Sequence, residues 1–405
     1  MRKKPEIEHD FRKDPLKLQV VDDMLYATGT TLGGDDGITV AMGLAILASE
    51  KISHPPIELL VTTSEETGMG GALVLDPANI SGRTLINLDS EEEGILTVSC
   101  AGGCTAQICI PTAWEKANPD DRAFAVTIEG LLGGHSGAEI HKGRANANKL
   151  MGRLLNLLSA KMNLRLSAVS GGSKHNAIAR DAQAVVYVNQ SDESSLREQI
   201  SGLEEVLRGK FKTADPGLRI AVKAAEKANE RVMTRESAEN VIRFLYLIPN
   251  GIQSMSMDIQ GLVESSLNLG VVETKEDDVE IISSIRSSVG SIKENIFDTI
   301  IAIGSLTNGK VSVEGEYPEW QYHPDSRIRE ICVDVYEKLF GKKPLVSAIH
   351  AGLECALFAK KFNGHLDMIS IGPTIIGVHT AEEHLSIPST QRTWNYLLEI
   401  LKALR

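Results

Sequence analysis

Apolar residues in the first hundred positions fall into blocks of two lengths. Gly37–Ser49 is Ala/Leu-rich and long enough for a buried helix, whereas Ile57–Thr62 and Thr84–Asp89 are short apolar runs that predict buried strands. Helix and strand in alternation predict a largely parallel α/β sheet. The style returns at the far end. Leu366–Ile371 reads as a strand closed by Gly372-Pro373, and Trp394, Leu397, Leu398 and Leu401 share one face of a terminal helix. Between these ends the pattern changes. Amphipathic helices over 148–162, 195–211 and 235–248 mix with alternating strands over 182–188 and 279–285. Two stretches there, Asn176–Arg180 and Ser265–Val272, look loosely alike, each preceding a strand, which hints at a duplicated α+β unit. The expected architecture is an α/β catalytic domain in two parts, 1–103 and 317–405, with a lid or dimerisation domain of α+β type inserted at 104–316.

Composition narrows the class of protein. Hydrophobic residues make up 42% of the 405 positions and charged residues 24%, an ordinary balance for a chain with a sizeable core. No apolar run approaches the roughly 20 residues of a membrane span, and Met1–Asp10 has no apolar stretch behind its basic residues. The net charge of −12 disfavours nucleic acid and anionic lipid as partners. Five cysteines do not make a disulfide framework, so a cytoplasmic location is expected. Cys100, Cys104 and Cys109 have spacing that thiolate ligands could use, but they lie in an apolar, strand-like run and read as buried free thiols. Lys223–Arg231 reads as a mixed-charge helix surface.

Four polar signals stand just after predicted strands or in Gly-rich turns: Gly33–Gly37 with Asp35, Thr62–Gly68 with Glu65 and Glu66, Asn87–Gly94 with Asp89, and Gly377–Glu383 with His379. In open α/β sheets ligands bind at the carboxyl ends of the strands. Carboxylates gathered there repel one another unless cations neutralise them. Carboxylate and imidazole donors without thiolate suit Zn²⁺, Mn²⁺ or Co²⁺, and two such ions could share a bridging carboxylate. Taken singly, each cluster reads more readily as a solvated turn.

Several motifs in order resolve that choice. His9-Asp-Phe11, Gly29–Gly37, Ser64–Gly71, Asn87–Gly94, Gly133–Gly137, Asn146-Ala-Asn148, His350–Cys355 and Ser370–Thr374 together resemble the aminoacyl-histidine dipeptidases (Xaa-His dipeptidases, peptidase D) of the M20 metallopeptidase family, nearly end to end. The resemblance implies hydrolysis of unblocked dipeptides with two Zn²⁺ per site, Mn²⁺ or Co²⁺ being possible substitutes. Asp35 would bridge the metals, Glu66 and His379 would bind one, and Asp89 the other. Glu65 would be the general base. His135 would stabilise the oxyanion, often across a homodimer; outside the family a lone histidine in such a turn is an ordinary loop residue. Asn176 and Arg180 would take the substrate carboxylate, although Arg180 reads equally as half of a surface ion pair. Glu354 would hold the free amine beside His350, which could also be a satisfied core histidine.

The family pattern carries one further motif, a His-x-Asp after a strand, upstream of the residues matching His9-Asp-Phe11. No His-x-Asp pair precedes Asp35 here, and His9 and Asp10 are adjacent in a charged context. The resemblance therefore implies that several dozen N-terminal residues of the pattern are absent. The metal shared by Asp35 and Asp89 would keep two protein ligands, and weak or absent activity is expected of this chain. The alternative is a non-catalytic remnant that binds peptide or pairs with another subunit.

Overall fold

The computed structural model describes residues 1–225 and 231–405. The chain divides into two compact units. One comprises Met1–Cys100, Trp320–Ile349 and Leu353–Arg405; the other comprises Ala101–Glu319 and His350–Gly352.

The first unit is built on a four-stranded sheet in the order Leu345–Ile349, Ile95–Cys100, Asp367–Ser370 and Thr84–Asn87. The two outer pairs are parallel, and the central pair, Asp367–Ser370 with Ile95–Cys100, is antiparallel. Two of the three pairings are thus parallel, as the largely parallel expectation has it, with one short antiparallel contact between them. Helices Gly34–Leu47, Arg327–Phe340, Glu354–Lys361 and Ile387–Ala403 accompany it. Met42 and Ile46 of the first pack with Leu397 and Leu401 of the last, as the i, i+4 spacing in both predicts. A smaller antiparallel sheet joins Leu18–Val21, Met24–Ala27, His384–Ser386 and Ile375–Ile376.

Ile57–Thr62 departs from expectation. It forms no ladder among the described residues, and it lines a cavity of about 1190 Å³ together with Thr84–Asn87. Its wall includes the apolar Ile57, Leu60, Ile86, Leu88 and Leu397 and the acidic Asp35, Glu65, Glu66 and Asp89. A strand is defined by its partner's hydrogen bonds, and apolar periodicity cannot supply one.

The second unit carries a nine-stranded antiparallel sheet. Its main path runs Arg219–Ala224, Asp121–Glu129, Ala182–Asn189, Arg165–Gly171, Val263–Thr274, Asp278–Ser287, Gly102–Pro111 and Lys310–Tyr317, with Gly251–Met255 added beside Val263–Thr274. Helices Ala147–Lys161, Glu193–Phe211, Arg235–Leu247 and Gly290–Leu306 contribute to one continuous apolar core with it. The Lys149 ammonium donates to the carbonyls of Leu245, Tyr246 and Ile248, satisfying the free C-terminal end of a neighbouring helix.

The loose repeat has no structural counterpart. Ser265–Val272 lies inside one long strand, whereas Asn176–Arg180 is mostly a turn around the two-residue strand Ala177–Ile178. Lys223–Arg231 is no helix surface at its ends: Lys223 belongs to Arg219–Ala224 and Arg231 opens the strand Arg231–Met233, while 226–230 lie outside the described residues. His350 falls in the second unit and Glu354 in the first, although only three residues lie between them.

Candidate active site

In the first unit, three groups converge from three distant parts of the chain. Asp35 stands in the first turn of Gly34–Leu47, Glu66 in the 3-10 turn Glu65–Thr67, and His379 in a left-handed position (φ 63°) after Gly377. His379 Nε2 lies 2.7 Å from Glu66 Oε2 and 3.3 Å from Asp35 Oδ2. One donor atom from each of the three lies within 4.8 Å of the others, a spacing that fits a single divalent cation. No other such convergence of histidine, cysteine and carboxylate occurs among the described residues.

The electrostatics point the same way. Burial and the neighbouring Glu66 charge push the Asp35 carboxyl up to about 6. Asp89, two residues beyond the end of Thr84–Asn87, is pushed up to about 8 by burial and then by Asp36 and Asp35. Asp36 rises to about 7 from burial, although the Thr39 hydroxyl bonds to it. Glu65 is also raised, by burial and by the charges of Glu354 and Asp35. Carboxylates in mutual repulsion are stabilised together by a cation in their midst. Asp89 contributes to this acidic field but stands outside the three-residue convergence. Glu354 is buried at the start of its helix, accepts the Thr62 hydroxyl at 2.6 Å, and adds to the same field.

The second unit gathers a different set. His135 is half-buried; its Nδ1 accepts the backbone N–H groups of Gly137 (3.2 Å) and Ala138 (3.0 Å). Those bonds place the proton of the neutral ring on Nε2, so the ring presents a donor. Burial and the Arg286 charge lower its pKa and keep it neutral. Asn176 accepts Ser136 N–H through its carbonyl, and its side chain is half-buried. Arg180 is exposed, with Nε bound to the Leu131 carbonyl.

Arg286 was not singled out from the sequence. It lies near the end of Asp278–Ser287 and is 9% exposed; one guanidinium nitrogen donates to the Tyr317 hydroxyl at 2.8 Å, while Nε is buried without a partner. No carboxylate stands within ion-pair distance of it among the described residues. A buried guanidinium so placed calls for an anion. The available signal was an arginine directly after the apolar and small-residue run Ile281–Ile285.

His350 is 8% exposed, and its Nε2 lies 2.7 Å from the Ser266 hydroxyl. Burial and Arg286 take its pKa down to about 4 from the ordinary 6.5. A lowered folded-state pKa means that the unfolded chain gains the proton first as pH falls. The stabilisation is complete above 6.5 and is lost on acidification through about 4. Urea melts at pH 7 and pH 4.5 should show His350→Gln losing about 2 kcal/mol less on acidification than the wild type.

A carboxylate–histidine convergence on an α/β unit offers the donor types that metallohydrolases use. The chain belongs to peptidase family M20/M25/M40, whose profile matches residues 5–403. It is 38% identical over 397 residues to the cytosol non-specific dipeptidase of Escherichia coli (strain K12), covering 98% of this chain and 81% of that protein. The crystal structure of aminoacylhistidine dipeptidase from Vibrio alginolyticus matches with a TM-score of 0.95 at 36% identity, covering 100% of this chain and 82% of that one. Aminopeptidase PepT from Bacillus cereus ATCC 10987, at 15% identity and a TM-score of 0.51, shares the fold; the match covers 96% of this chain and 76% of that one.

Proposed function

We propose that this chain is a metal-dependent dipeptidase acting on unblocked dipeptides, Xaa-His among them. The observation that carries the reading is the convergence of Asp35, Glu66 and His379 in an M20 chain. These three would hold one divalent ion, and Asp35 with Asp89 would contribute to a second; Zn²⁺, Mn²⁺ and Co²⁺ all suit the donors. Such an ion supplies Lewis-acid activation of water and of the peptide carbonyl.

The protein's own groups do the rest. Glu65, its basicity raised by burial, takes a proton from the attacking water as the O–C bond forms. It returns that proton to the amide nitrogen as the C–N bond breaks, leaving a free amine and a carboxylate. Glu354 is assigned the substrate's ammonium group. The substrate carboxylate is assigned to Arg286, with Asn176 and Arg180 as further donors, and the developing oxyanion to His135 Nε2–H, from this or a second copy of the chain. His350 shapes the Arg286 surroundings.

His135→Ala is expected to lower kcat by about 10²–10³ with little change in KM, because a donor aimed at the oxyanion acts in the transition state. Steady-state kinetics on one dipeptide checks this. A homodimer and a cytoplasmic location complete the reading. The exposed strip Ile252, Met255 and Met257 on and beside an outlying strand of the second unit supports the first. The name of the Escherichia coli relative supports the second, and no helix among the described residues is long and apolar enough to cross a membrane.

The substrate class is tested by comparing a free dipeptide with its N-acetylated and C-amidated forms in the presence of Mn²⁺ or Zn²⁺. Cleavage of the free form, with both blocked forms much slower, supports the assignment. Equal rates for all three would refute it.

A further inference from the structure

Two adjacent glutamates end the segment that carries His379, and they have opposite environments. The Glu382 side chain is 70% exposed and pairs with Lys4 at 2.7 Å. Glu383 is 1% exposed. Its carboxylate accepts three consecutive backbone N–H groups: Gly33 at 3.0 Å, Gly34 at 2.7 Å and Asp35 at 3.1 Å. These groups belong to the turn that enters the helix Gly34–Leu47, which is kinked at the non-helical Asp35 and Asp36. A carboxylate from the far end of the sequence therefore satisfies the donors of the Asp35 turn.

The same residue is anchored on its other side. Glu383 N–H lies 3.4 Å from the Thr380 carbonyl, and Thr380 N–H bonds the Gly377 carbonyl at 3.2 Å, closing the turn that holds His379 at φ 63°. Asp35 and His379 are thus joined through one buried side chain as well as by their own 3.3 Å approach.

We propose that Glu383 is a positioning residue for the metal centre, fixing the Asp35 turn against the His379 turn so that their donor atoms meet. The proposal rests on the metal-site reading above. Partners that orient first ligands in this way typically change metal affinity by about 10–100-fold when altered.

The test uses the full chain, stripped of metal and titrated with Mn²⁺ by calorimetry, in the wild type, Glu383→Gln and the exposed control Glu382→Gln. Glu383→Gln is expected to bind Mn²⁺ about 10–100-fold more weakly, while Glu382→Gln binds as the wild type does. The metal-free Glu383→Gln protein should still melt cooperatively, with a smaller rise in Tm on adding Mn²⁺. Its kcat should return toward the wild-type value at saturating Mn²⁺, with KM unchanged. If Glu383→Gln does not fold, Glu383→Asp, which keeps the charge and withdraws it by one methylene, carries the same comparison. Wild-type Mn²⁺ affinity in a folded Glu383 variant would overturn the proposal. A wild type that binds no Mn²⁺ would overturn the metal-site reading itself, and the role of Glu383 with it.

Discussion

Glu65→Gln is expected to slow dipeptide turnover by about 10²–10⁴ while leaving Mn²⁺ affinity near that of the wild type. The amide has nearly the shape of the carboxylate but cannot take the proton of the attacking water. Glu65 is half-buried in the turn Glu65–Thr67, next to Glu66, and is not one of the three convergent donors. Burial and the charges of Glu354 and Asp35 raise its pKa toward the range in which a carboxylate exchanges protons readily near neutrality. The loss should therefore fall on kcat, with KM little changed. Kinetics paired with calorimetric Mn²⁺ titration separate the two roles. A variant that lost metal and activity together would make Glu65 a ligand rather than a base.

Arg286→Met should act on KM instead, raising it for free dipeptides by about 10–100-fold. Charge-assisted hydrogen bonds to a substrate carboxylate are worth about 1.5–3 kcal/mol, and every 1.4 kcal/mol is a factor of about ten. The same substitution should not destabilise the fold. Arg286 is a buried cation with an unsatisfied Nε and no carboxylate partner among the described residues, so folding places it at a cost that methionine would not incur. The diagnostic pattern is a Tm equal to or above the wild-type value together with the higher KM. C-amidated dipeptides, lacking the carboxylate, should be poor substrates for the wild type and gain nothing further to lose in the variant. A variant with lower Tm and unchanged KM would assign Arg286 to structure.

The contrast between these two residues shows what the sequence could disclose. Glu65 and Glu66 stand in a Gly-bounded acidic turn, and Asp35 and His379 in comparable turns. Motifs of that kind are local, and although each taken singly reads as a solvated turn, their order along the chain, resembling one family, makes them candidates before folding is considered. Arg286 has no such frame. It ends an alternating run, Val279–Arg286, whose period describes a strand and says nothing about which charged residue will be enclosed. Glu382 and Glu383 are identical in the sequence, yet one faces solvent and the other holds the Asp35 turn about 350 residues away. Only tertiary structure distinguishes them.

The elements followed the same rule. The helices over 147–161, 193–211 and 235–247 were legible because 3.6-residue periodicity is internal to each. Ile57–Thr62 was not, because pairing depends on a neighbour. The one antiparallel pairing in the first unit's largely parallel sheet was hidden for a related reason. A run such as Asp367–Ser370 looks the same whether its neighbour runs parallel or antiparallel.

Metal dependence of dipeptide hydrolysis tests the central claim most directly. The full chain would be stripped with a chelator, and its rate on one free dipeptide followed as Mn²⁺ or Zn²⁺ is restored, beside His379→Ala. The expected result is no hydrolysis when stripped, recovery that saturates with added metal in the wild type, and much weaker recovery in His379→Ala. Hydrolysis that survives complete chelation, or a His379→Ala protein that recovers at wild-type metal concentrations, would contradict the assignment of Asp35, Glu66 and His379 as the metal centre.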